Sequence, residues 1–492
     1  MKAIKILRSV ALLALLGFLA TCARNPVTGN RQLMFMSESR EIQLGREYHP
    51  QIMSTFGEYK DDALLALLEE RTREMGLISH RPHLEYHIRI LDSPVINAFA
   101  VPGGYMYFTR GILAQFNNEA EMIGVLAHEM GHITARHSVA RMSKAQLAQV
   151  LLIGGMIASE EFRNYAEYAM AGMQLLFLSY SREDEREADA LGVEYTSKVG
   201  FDAKKMADFY QVLVKMNLAS HQGGIPTFLS THPDPGDRYN AVKRDAARWQ
   251  EELDRSDWSV TADSYLRLLD GMVYGEDPRQ GYADGQVFYH PDLRFSFSFP
   301  EGWTLQNSPM QVRIAPPGDK ALIVFAQAQG NTLDEAAQNT INQLDLNVLE
   351  RSTTTVNGMA AISILANQTQ QGQAGQQQTI KVRSSFIEDG DHFYVFHGVS
   401  KEEDFDQHKQ AFSATMDGFK KLTDPARLNV QPDRLSVREV TSRNSLVNIL
   451  SSWNVPADQI DEMAFLNNME PSDQIEAGTL IKVVIQQPSR GR

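Results

Sequence analysis

The sequence predicts an α+β protein of several domains, with a mainly helical first part that contains a small sheet. The chain has 492 residues, which exceeds what one hydrophobic core normally supports, so we expect two to four domains. Apolar residues recur at helical spacing in the first part, for example at Leu64, Leu67 and Leu68. At residues 293–299, phenylalanines alternate with polar residues, which indicates strands in the later part.

Helices and short strands are expected to alternate in the first part. Residues 37–77 predict helix, and residues 84–91 show the alternation of a half-buried strand. The Pro102-Gly103-Gly104 segment predicts a turn into an aromatic-rich strand. Asn118 is expected to cap a helix with Glu121 as its capping partner. That helix is apolar almost all round, which predicts that it is buried.

Further along, the pattern changes from helices to strands. Residues 147–158 form an apolar stretch that is short for a membrane span, so it predicts a packed or partly interfacial helix. Residues 167–192 continue helical. A small α+β domain follows, with strands near residues 321–328, 360–365, 379–387 and 392–399 and helices near residues 332–346 and 404–421. The glutamine-rich residues 367–378 predict a hairpin loop.

The charge balance argues against nucleic acid as the main partner. The chain has 47 Lys and Arg against 61 Asp and Glu, a formal net charge of -14, whereas phosphate binding needs clustered cations. The sequence contains no basic run that would override this balance.

The first residues are typical of an export signal. Lys2, Lys5 and Arg8 precede an apolar run at residues 10–20 that is too short for a comfortable membrane span. The run ends at Cys22, the only cysteine, in a Leu-Ala-Thr-Cys segment that resembles a bacterial lipoprotein processing site. Threonine stands where a small residue usually precedes the cysteine. We therefore expect periplasmic residence, either with a lipid anchor at Cys22 in the outer membrane or after removal of a plain secretory signal.

The strongest chemical signal is an H-E-x-x-H motif formed by His128, Glu129 and His132. Four residues is close to one helical turn, so both imidazoles project from one face and can share one tetrahedral zinc ion. Glu129 lies beside the metal, where it can remove a proton from metal-bound water. The alternative is a pair of hydrogen-bonded core histidines, which a buried helix disfavours because unpartnered imidazoles there are costly.

A third ligand is expected on a later helix. Glu185 and Asp189 are four residues apart in an acidic run, with the small Ala188 beside them. Glu185 could bind zinc while Asp189 holds a ligand imidazole in the required tautomer. The simpler interpretation of such a run is a solvated helix start.

These motifs together resemble the HtpX/Oma/BepA-type family of zinc metallopeptidases, which are gluzincins. The resemblance covers roughly residues 25–238 and includes Asn-Pro-Val-Thr-Gly at residues 25–29, Asn-Ala-Phe-Ala-Val-Pro-Gly-Gly at residues 97–104 and Thr-His-Pro-Asp-Pro at residues 231–235. It implies one Zn²⁺ per chain held by His128, His132 and Glu185, with Glu129 as general base and Asp189 behind the ligands. It also implies endoproteolysis of unfolded or misassembled envelope proteins.

Two further segments have open roles. His232 could face the metal as a gate, stabilise the oxyanion, or simply belong to a proline-bracketed turn. Residues 103–108 could form an edge strand onto which an unfolded substrate adds, or an ordinary core strand. His137 is expected to be structural and not a zinc ligand.

The C-terminal modules give weaker signals. A Phe-Pro-Glu-Gly-Trp turn at residues 299–303 resembles the PsbP/Mog-like α+β fold, and residues 435–483 resemble a LysM domain with Asn444 at its usual acidic position. The second resemblance suggests contact with peptidoglycan or with an envelope protein. We expect a signal at residues 1–22, a metallopeptidase domain at 23–255, a linker at 256–286, a PsbP/Mog-like domain at 287–424 and a LysM-like module at 430–486.

The sequence therefore predicts an exported zinc endopeptidase. The principal alternative is a chaperone or assembly factor with a latent or gated zinc site. A peptidoglycan hydrolase is disfavoured because it rests only on the LysM-like residues, whereas the metal motif is typical of protein cleavage.

Overall fold

The protein divides into two compact units, seen in a computed structural model that describes residues 22–153, 179–219, 227–233, 237–318, 320–371 and 377–486. The first unit takes its described residues from Met1–Met53, Gly57–Tyr274 and Arg434–Ile485. The second unit consists mainly of Gly275–Asp433. The four domain boundaries predicted from the sequence, after residues 22, 255, 286 and 424, remain predictions.

Helices dominate the first unit. The helix predicted at residues 37–77 is two helices, because the chain turns at Gly57, whose φ of 73° favours glycine. Ser37 and Asp61 cap the two helices with their side chains. The helices of this part are α1 Glu38–Phe56, α2 Asp62–Ile78, α3 Arg110–Gln115, α4 Glu119–Thr134, α5 His137–Ile153, α6 Arg182–Lys198, α7 Lys204–Ala219, α8 Thr227–Thr231, α9 Arg238–Glu252 and α10 Ala262–Leu268.

A three-stranded sheet lies beside these helices. It is formed by β3 His87–Leu91, β4 Ala98–Val101 and β5 Tyr105–Thr109, after a short hairpin of β1 Cys22–Arg24 and β2 Arg31–Leu33. Strand β5 is central, parallel to β3 and antiparallel to β4. The hypothesis that residues 103–108 form an edge strand is therefore wrong, because both sides of β5 are hydrogen-bonded; β4 and β3 are the edges.

The second unit is an α+β structure around one large sheet. The strands are β6 Tyr282–Asp284, β7 Val287–His290, β8 Phe295–Ser298, β9 Thr304–Asn307, β10 Gln311–Ala315, β11 Ala321–Ala328, β12 Asn347–Val356, β13 Met359–Gln371, β14 Gln377–Asp389, β15 His392–Lys401 and β16 Lys420–Lys421. The predicted strand at residues 321–328 is confirmed as β11, and the later strands extend beyond their predicted bounds. The seven strands of the large sheet run in the order β12-β13-β14-β15-β11-β10-β9, and a four-stranded sheet has the order β16-β8-β7-β6. The helices are α11 Leu333–Gln343, α12 Phe405–Asp417 and α13 Pro425–Leu428.

The last described segment belongs to the first unit. It contains β17 Arg434–Glu439, β18 Asn444–Ser445, α14 Leu446–Ser452, α15 Ile460–Leu466, β19 Gln474–Ile475 and β20 Leu480–Ile485. Its apolar side chains join the same hydrophobic core as those of α4. Lys482 is fully buried, and its Nζ donates to the main-chain oxygens of Ala114, Gln115 and Phe116 at 2.8, 3.2 and 2.9 Å. This ammonium satisfies carbonyls at the end of α3, where a cation is favourable.

Several predicted features lie outside the described residues. They are residues 1–21 of the export signal, residues 154–158 of the apolar stretch, residues 167–178 of the helix predicted at 167–192, and residues 372–376 of the loop predicted at 367–378. The described parts of the last two predictions are partly wrong. Residues 179–181 are not helical, so α6 begins at Arg182, and residues 367–371 and 377–378 belong to β13 and β14. Within the part of the chain that the structure describes, no helix combines the length and apolar character needed to cross a membrane.

Candidate metal centre

The motif helix α4 is buried along its whole length, as its sequence predicts. The predicted cap is confirmed: Asn118 Oδ1 accepts from the Glu121 amide at 2.9 Å, and the Glu121 carboxylate accepts from Asn117 N and Asn118 Nδ2, both at 2.8 Å. Because α4 has no solvent-facing side, its polar side chains must find partners inside the protein.

Helices α4 and α6 approach closely through small residues. A Cβ on Gly131 would lie 3.1 Å from the Ala188 oxygen, and one on Gly192 would lie 3.2 Å from the His128 amide nitrogen. Ser181 caps α6 in a reciprocal capping box with Asp184, which fixes where that helix begins. The acidic run is therefore a helix start, as the simpler interpretation holds, and it also places Glu185 against the motif helix.

Four buried side chains converge between these helices. The Nε2 atoms of His128 and His132 are 3.1 Å apart. Glu185 places Oε2 3.6 Å from the first of these nitrogens and Oε1 3.5 Å from the second. His232, in the turn after α8, places Nδ1 3.1 Å from Glu185 Oε1 and 3.3 Å from His128 Nε2. Among the described residues, this is the one cluster whose nitrogen and carboxylate atoms could hold a metal ion.

The unpartnered atoms of the cluster fit a metal ion and its reactants. Both carboxylate oxygens of Glu129, Oε2 of Glu185 and Nε2 of His232 are buried without a hydrogen-bond partner. Such orphaned polar atoms are costly unless another group satisfies them. Two imidazoles with one carboxylate form a donor set typical of catalytic zinc. Burial raises the pKa of Glu129, which lies 3.5 Å from His232 Nε2.

Asp189, Arg238 and Tyr210 form a charged hydrogen-bond network at the Nδ1 side of His128. Asp189 Oδ1 lies 2.9 Å from His128 Nδ1, as the spacing of the acidic run suggested. Arg238 donates through Nη2 to the same oxygen at 2.7 Å and to the Tyr210 hydroxyl at 2.8 Å, while that hydroxyl donates to Asp189 at 2.9 Å. Burial raises the pKa of Asp189, but the Arg238 charge and the hydrogen bonds outweigh it, so the pKa lies below its usual range.

Arg238 also lies 3.3 Å from Glu185 Oε2, and sequence reasoning missed it. Its only local signal was its position six residues after His232. Tyr180 was missed as well. Its ring stacks on His132 with centroids 3.8 Å apart and receives the Arg141 guanidinium on its face.

His137 lies outside the four-residue cluster, as expected of a residue that is not a ligand. Its Nδ1 faces the outer nitrogen of His132 at 2.9 Å. On its other side, Nε2 lies 3.4 Å from Glu187 Oε2, and Glu187 Oε1 accepts from Asn25 Nδ2 at 2.9 Å. The two ligand histidines are therefore supported by different sets of residues.

Comparison with known proteins agrees with this geometry. Residues 64–246 match the family described as Peptidase family M48, which confirms the family resemblance predicted from the motifs. The beta-barrel assembly-enhancing protease of Escherichia coli K12 is 27% identical over 213 residues, 41% of this chain and 43% of that protein. The human mitochondrial metalloendopeptidase OMA1 is 25% identical over 256 residues, 48% of each chain. The match thus spans less than half the length of each of these two relatives.

Among solved structures, cyanobacterial PsbP from Synechocystis aligns with 28% of this chain and 94% of its own, at 9% identity and a TM-score of 0.22. A likeness at this score supports no assignment, so the PsbP/Mog-like and LysM-like modules remain predictions.

Proposed function

We propose that this chain, whose residues 64–246 form a Peptidase family M48 domain, is a zinc-dependent endopeptidase of the cell envelope. His128, His132 and Glu185 would hold the ion, and Glu129 would act as general base. One observation carries the proposal: four buried donors, among them the three proposed ligands, converge on one point while the Glu129 carboxylate beside them has no hydrogen-bond partner.

The residues of the site divide the chemistry between them. A bound zinc ion would supply Lewis acidity toward a water molecule and toward the oxygen of the scissile carbonyl. Glu129 removes a proton from the attacking water and passes it to the departing amine, so the peptide bond breaks without a net change in the enzyme. Burial raises the pKa of Glu129, and a carboxylate with a raised pKa is a stronger base.

His232 is proposed to act as a gate. Its Nδ1 lies within 3.3 Å of both His128 Nε2 and Glu185 Oε1, which makes it a fourth donor in the cluster. A catalytic zinc site keeps one position open, whereas four protein donors close it. The ring would then have to move away before substrate enters. Stabilisation of the oxyanion by the same imidazole is the competing role.

The substrate class follows from the resemblance and from what a relative is called. One relative is named a beta-barrel assembly-enhancing protease, and the pattern of residues 1–22 predicts an export signal. We propose unfolded or misassembled envelope proteins as substrates. From the same features we propose residence in the periplasm, an acyl chain on Cys22 as membrane anchor, and the LysM-like residues as a contact to peptidoglycan or an envelope protein.

The test combines metal content with cleavage of casein. Wild type is compared with Glu129→Gln and His232→Ala, and Glu183→Gln serves as control because Glu183 is largely exposed on α6. We expect one zinc per chain in each protein and a loss of about 10²- to 10⁴-fold in turnover for Glu129→Gln alone. Full turnover by Glu129→Gln would refute the assignment of the base.

The two roles of His232 give opposite results in the same assay. Higher turnover of His232→Ala supports the gate, because a closing donor has been removed. Lower turnover with zinc retained supports stabilisation of the oxyanion.

A chaperone with a latent zinc site is the second candidate, and the fourth donor from His232 favours it. Bound zinc without cleavage by any variant, together with suppressed aggregation of an unfolded protein, would support this alternative over the peptidase.

A further inference from the structure

The outer nitrogen of His132 faces another histidine and not a carboxylate. His132 Nε2 points into the cluster, 3.1 Å from His128 Nε2 and 3.5 Å from Glu185 Oε1. Its Nδ1 lies 2.9 Å from His137 Nδ1, with both rings buried. A ring that offers Nε2 to a metal carries its proton on Nδ1, so His132 must donate and His137 Nδ1 must accept.

This assignment fixes the proton on the second ring. Because His137 accepts at Nδ1, its Nε2 carries the proton and points to Glu187 Oε2 at 3.4 Å, with Asp184 Oδ1 slightly farther at 3.7 Å. The Glu187 carboxylate accepts from His137 on one oxygen and from Asn25 on the other. The Glu187 carboxylate is thus connected to His132 by two hydrogen bonds, with the His137 ring between them.

The turn at the start of the described chain positions Asn25 for this contact. Asn25 Oδ1 accepts from Val27 N at 2.8 Å and from Thr28 N at 3.3 Å, which leaves the amide NH₂ group for Glu187. The main chain closes the turn through Asn25 N to Asn30 O and Gly29 N to Asn25 O, at 2.8 and 2.9 Å. Gly29 has a φ of +72°, which suits glycine. Asn25 is 1% exposed, although the residues after it are largely accessible.

We propose that Asn25, Glu187 and His137 form a positioning relay that fixes the tautomer and ring orientation of His132, so that the turn at residues 25–30 is part of the metal site. The inference rests on the proposed zinc function of the cluster. Carboxylates behind ligand histidines orient the ring and increase its basicity, and their loss weakens metal binding by about 10- to 100-fold. Here the carboxylate acts through one intervening imidazole.

The relay predicts that zinc affinity depends on residues that never contact the ion. Zinc dissociation constants are measured by chelator competition for wild type, Glu187→Ala, His137→Phe and Asn25→Ala, and the Tm of each zinc-free protein is recorded in parallel. We expect about 10- to 100-fold weaker binding for the first two variants and a smaller loss for Asn25→Ala, with zinc-free Tm values near wild type. Glu183→Ala is the matched control, because Glu183 lies on the same helix with an 83% exposed side chain.

A pair of substitutions tests the polarity of the Asn25–Glu187 hydrogen bond. In Glu187→Gln the new amide still accepts from His137, but its NH₂ group faces the NH₂ group of Asn25. Adding Asn25→Asp restores a donor and an acceptor while the new carboxylate still accepts from Val27 N. We therefore expect the double variant to bind zinc more tightly than Glu187→Gln alone.

Each result decides between specific outcomes. Wild-type affinity in Glu187→Ala and His137→Phe overturns the relay, and so does a fall in zinc-free Tm large enough to account for the weaker binding, since that marks a merely structural role. If wild type itself binds no zinc, the proposed function and the relay that rests on it are both overturned, whereas wild-type zinc affinity in the variants overturns the relay alone.

Discussion

Both compact units bury histidines, but they surround them differently. In the first unit, His128, His132 and His232 each have a carboxylate oxygen within 3.6 Å. In the second unit, His397 is 9% exposed, and its Nδ1 meets only the Ser384 hydroxyl at 2.8 Å. Burial lowers the pKa of His397 to about 4, so this ring is neutral at physiological pH.

The difference shows that burial alone does not identify a site. A neutral imidazole with one hydroxyl partner fills a core position like any aromatic ring. Imidazoles that share their surroundings with several carboxylates require a cation or further donors to compensate the charge. In the first unit, Arg238 supplies part of that compensation.

Removing this cation should have the largest effect on stability. Arg238→Met leaves Asp189 and Glu185 buried without their guanidinium partner, so we expect the zinc-free protein to lose about 3–5 kcal/mol of unfolding free energy in urea. Arg244→Met provides the control, because Arg244 lies on the same helix with 66% of its side chain exposed. Equal losses in the two variants would show that the buried network does not need its cation.

Acid should destabilise the second unit through His397. Its folded pKa of about 4 lies below the ordinary value of 6.5, so its contribution is complete above pH 6.5 and is lost as the pH falls toward 4. Between pH 7.5 and 4.5, we expect wild type to lose about 2–3 kcal/mol relative to His397→Phe, which cannot be protonated. Urea unfolding at both pH values measures this difference; a constant difference would mean that the folded protein accommodates the charged ring.

Substitution behind His128 should change metal affinity. Asp189→Asn keeps the side-chain shape but removes the charge that orients the His128 ring, so we expect about 10- to 100-fold weaker zinc binding. Chelator competition gives the dissociation constant, and Asp208→Asn is a control because Asp208 pairs with lysines on the surface of the same unit. An unchanged zinc dissociation constant for Asp189→Asn would show that the carboxylate partner of His128 does not affect metal binding. The contrast with His397, which has only a hydroxyl partner, would then lose its functional meaning.

The smallest effect is expected at the hydroxyl of the second unit. Ser384→Ala removes the partner of His397 Nδ1 inside the core and should cost about 1–2 kcal/mol of unfolding free energy. Zinc affinity should stay at the wild-type value. A change in that affinity would contradict the separation of structural and metal-binding histidines.

Local spacing predicts which residues of the site share a helix face, whereas the meeting of the two helices was implied by the family resemblance. His128 and His132, like Glu185 and Asp189, lie one helical turn apart, so the helix period alone brings each pair to one face. Arg238 and Asn25 reach the site from distant segments, and no local pattern encodes such an encounter. Asn25 had been noticed as part of a motif, but its role required the position of Glu187 in space.

The errors in the fold have the same origin. The order of strands depends on pairing between separate segments, so the sequence left residues 103–108 as either an edge strand or a core strand, and the structure shows that β5 is central. The break between α1 and α2 was locally encoded by Gly57 and could have been predicted from that residue.

The contacts of Lys482 have a consequence for the order in which the parts of the first unit can fold during synthesis. Its ammonium donates hydrogen bonds to the main-chain oxygens of residues 114–116, which lie as many as 368 positions earlier in the sequence. The last described part of the metal-site unit therefore arrives long after the H-E-x-x-H helix has been made. At translation rates of about 5–20 residues per second, the interval between residues 132 and 482 is about 20–70 s. Residues 275–433 can meanwhile form their own contacts, because the second unit is almost continuous in sequence. The carbonyls at residues 114–116 therefore gain this partner only after the H-E-x-x-H helix and residues 275–433 have been made.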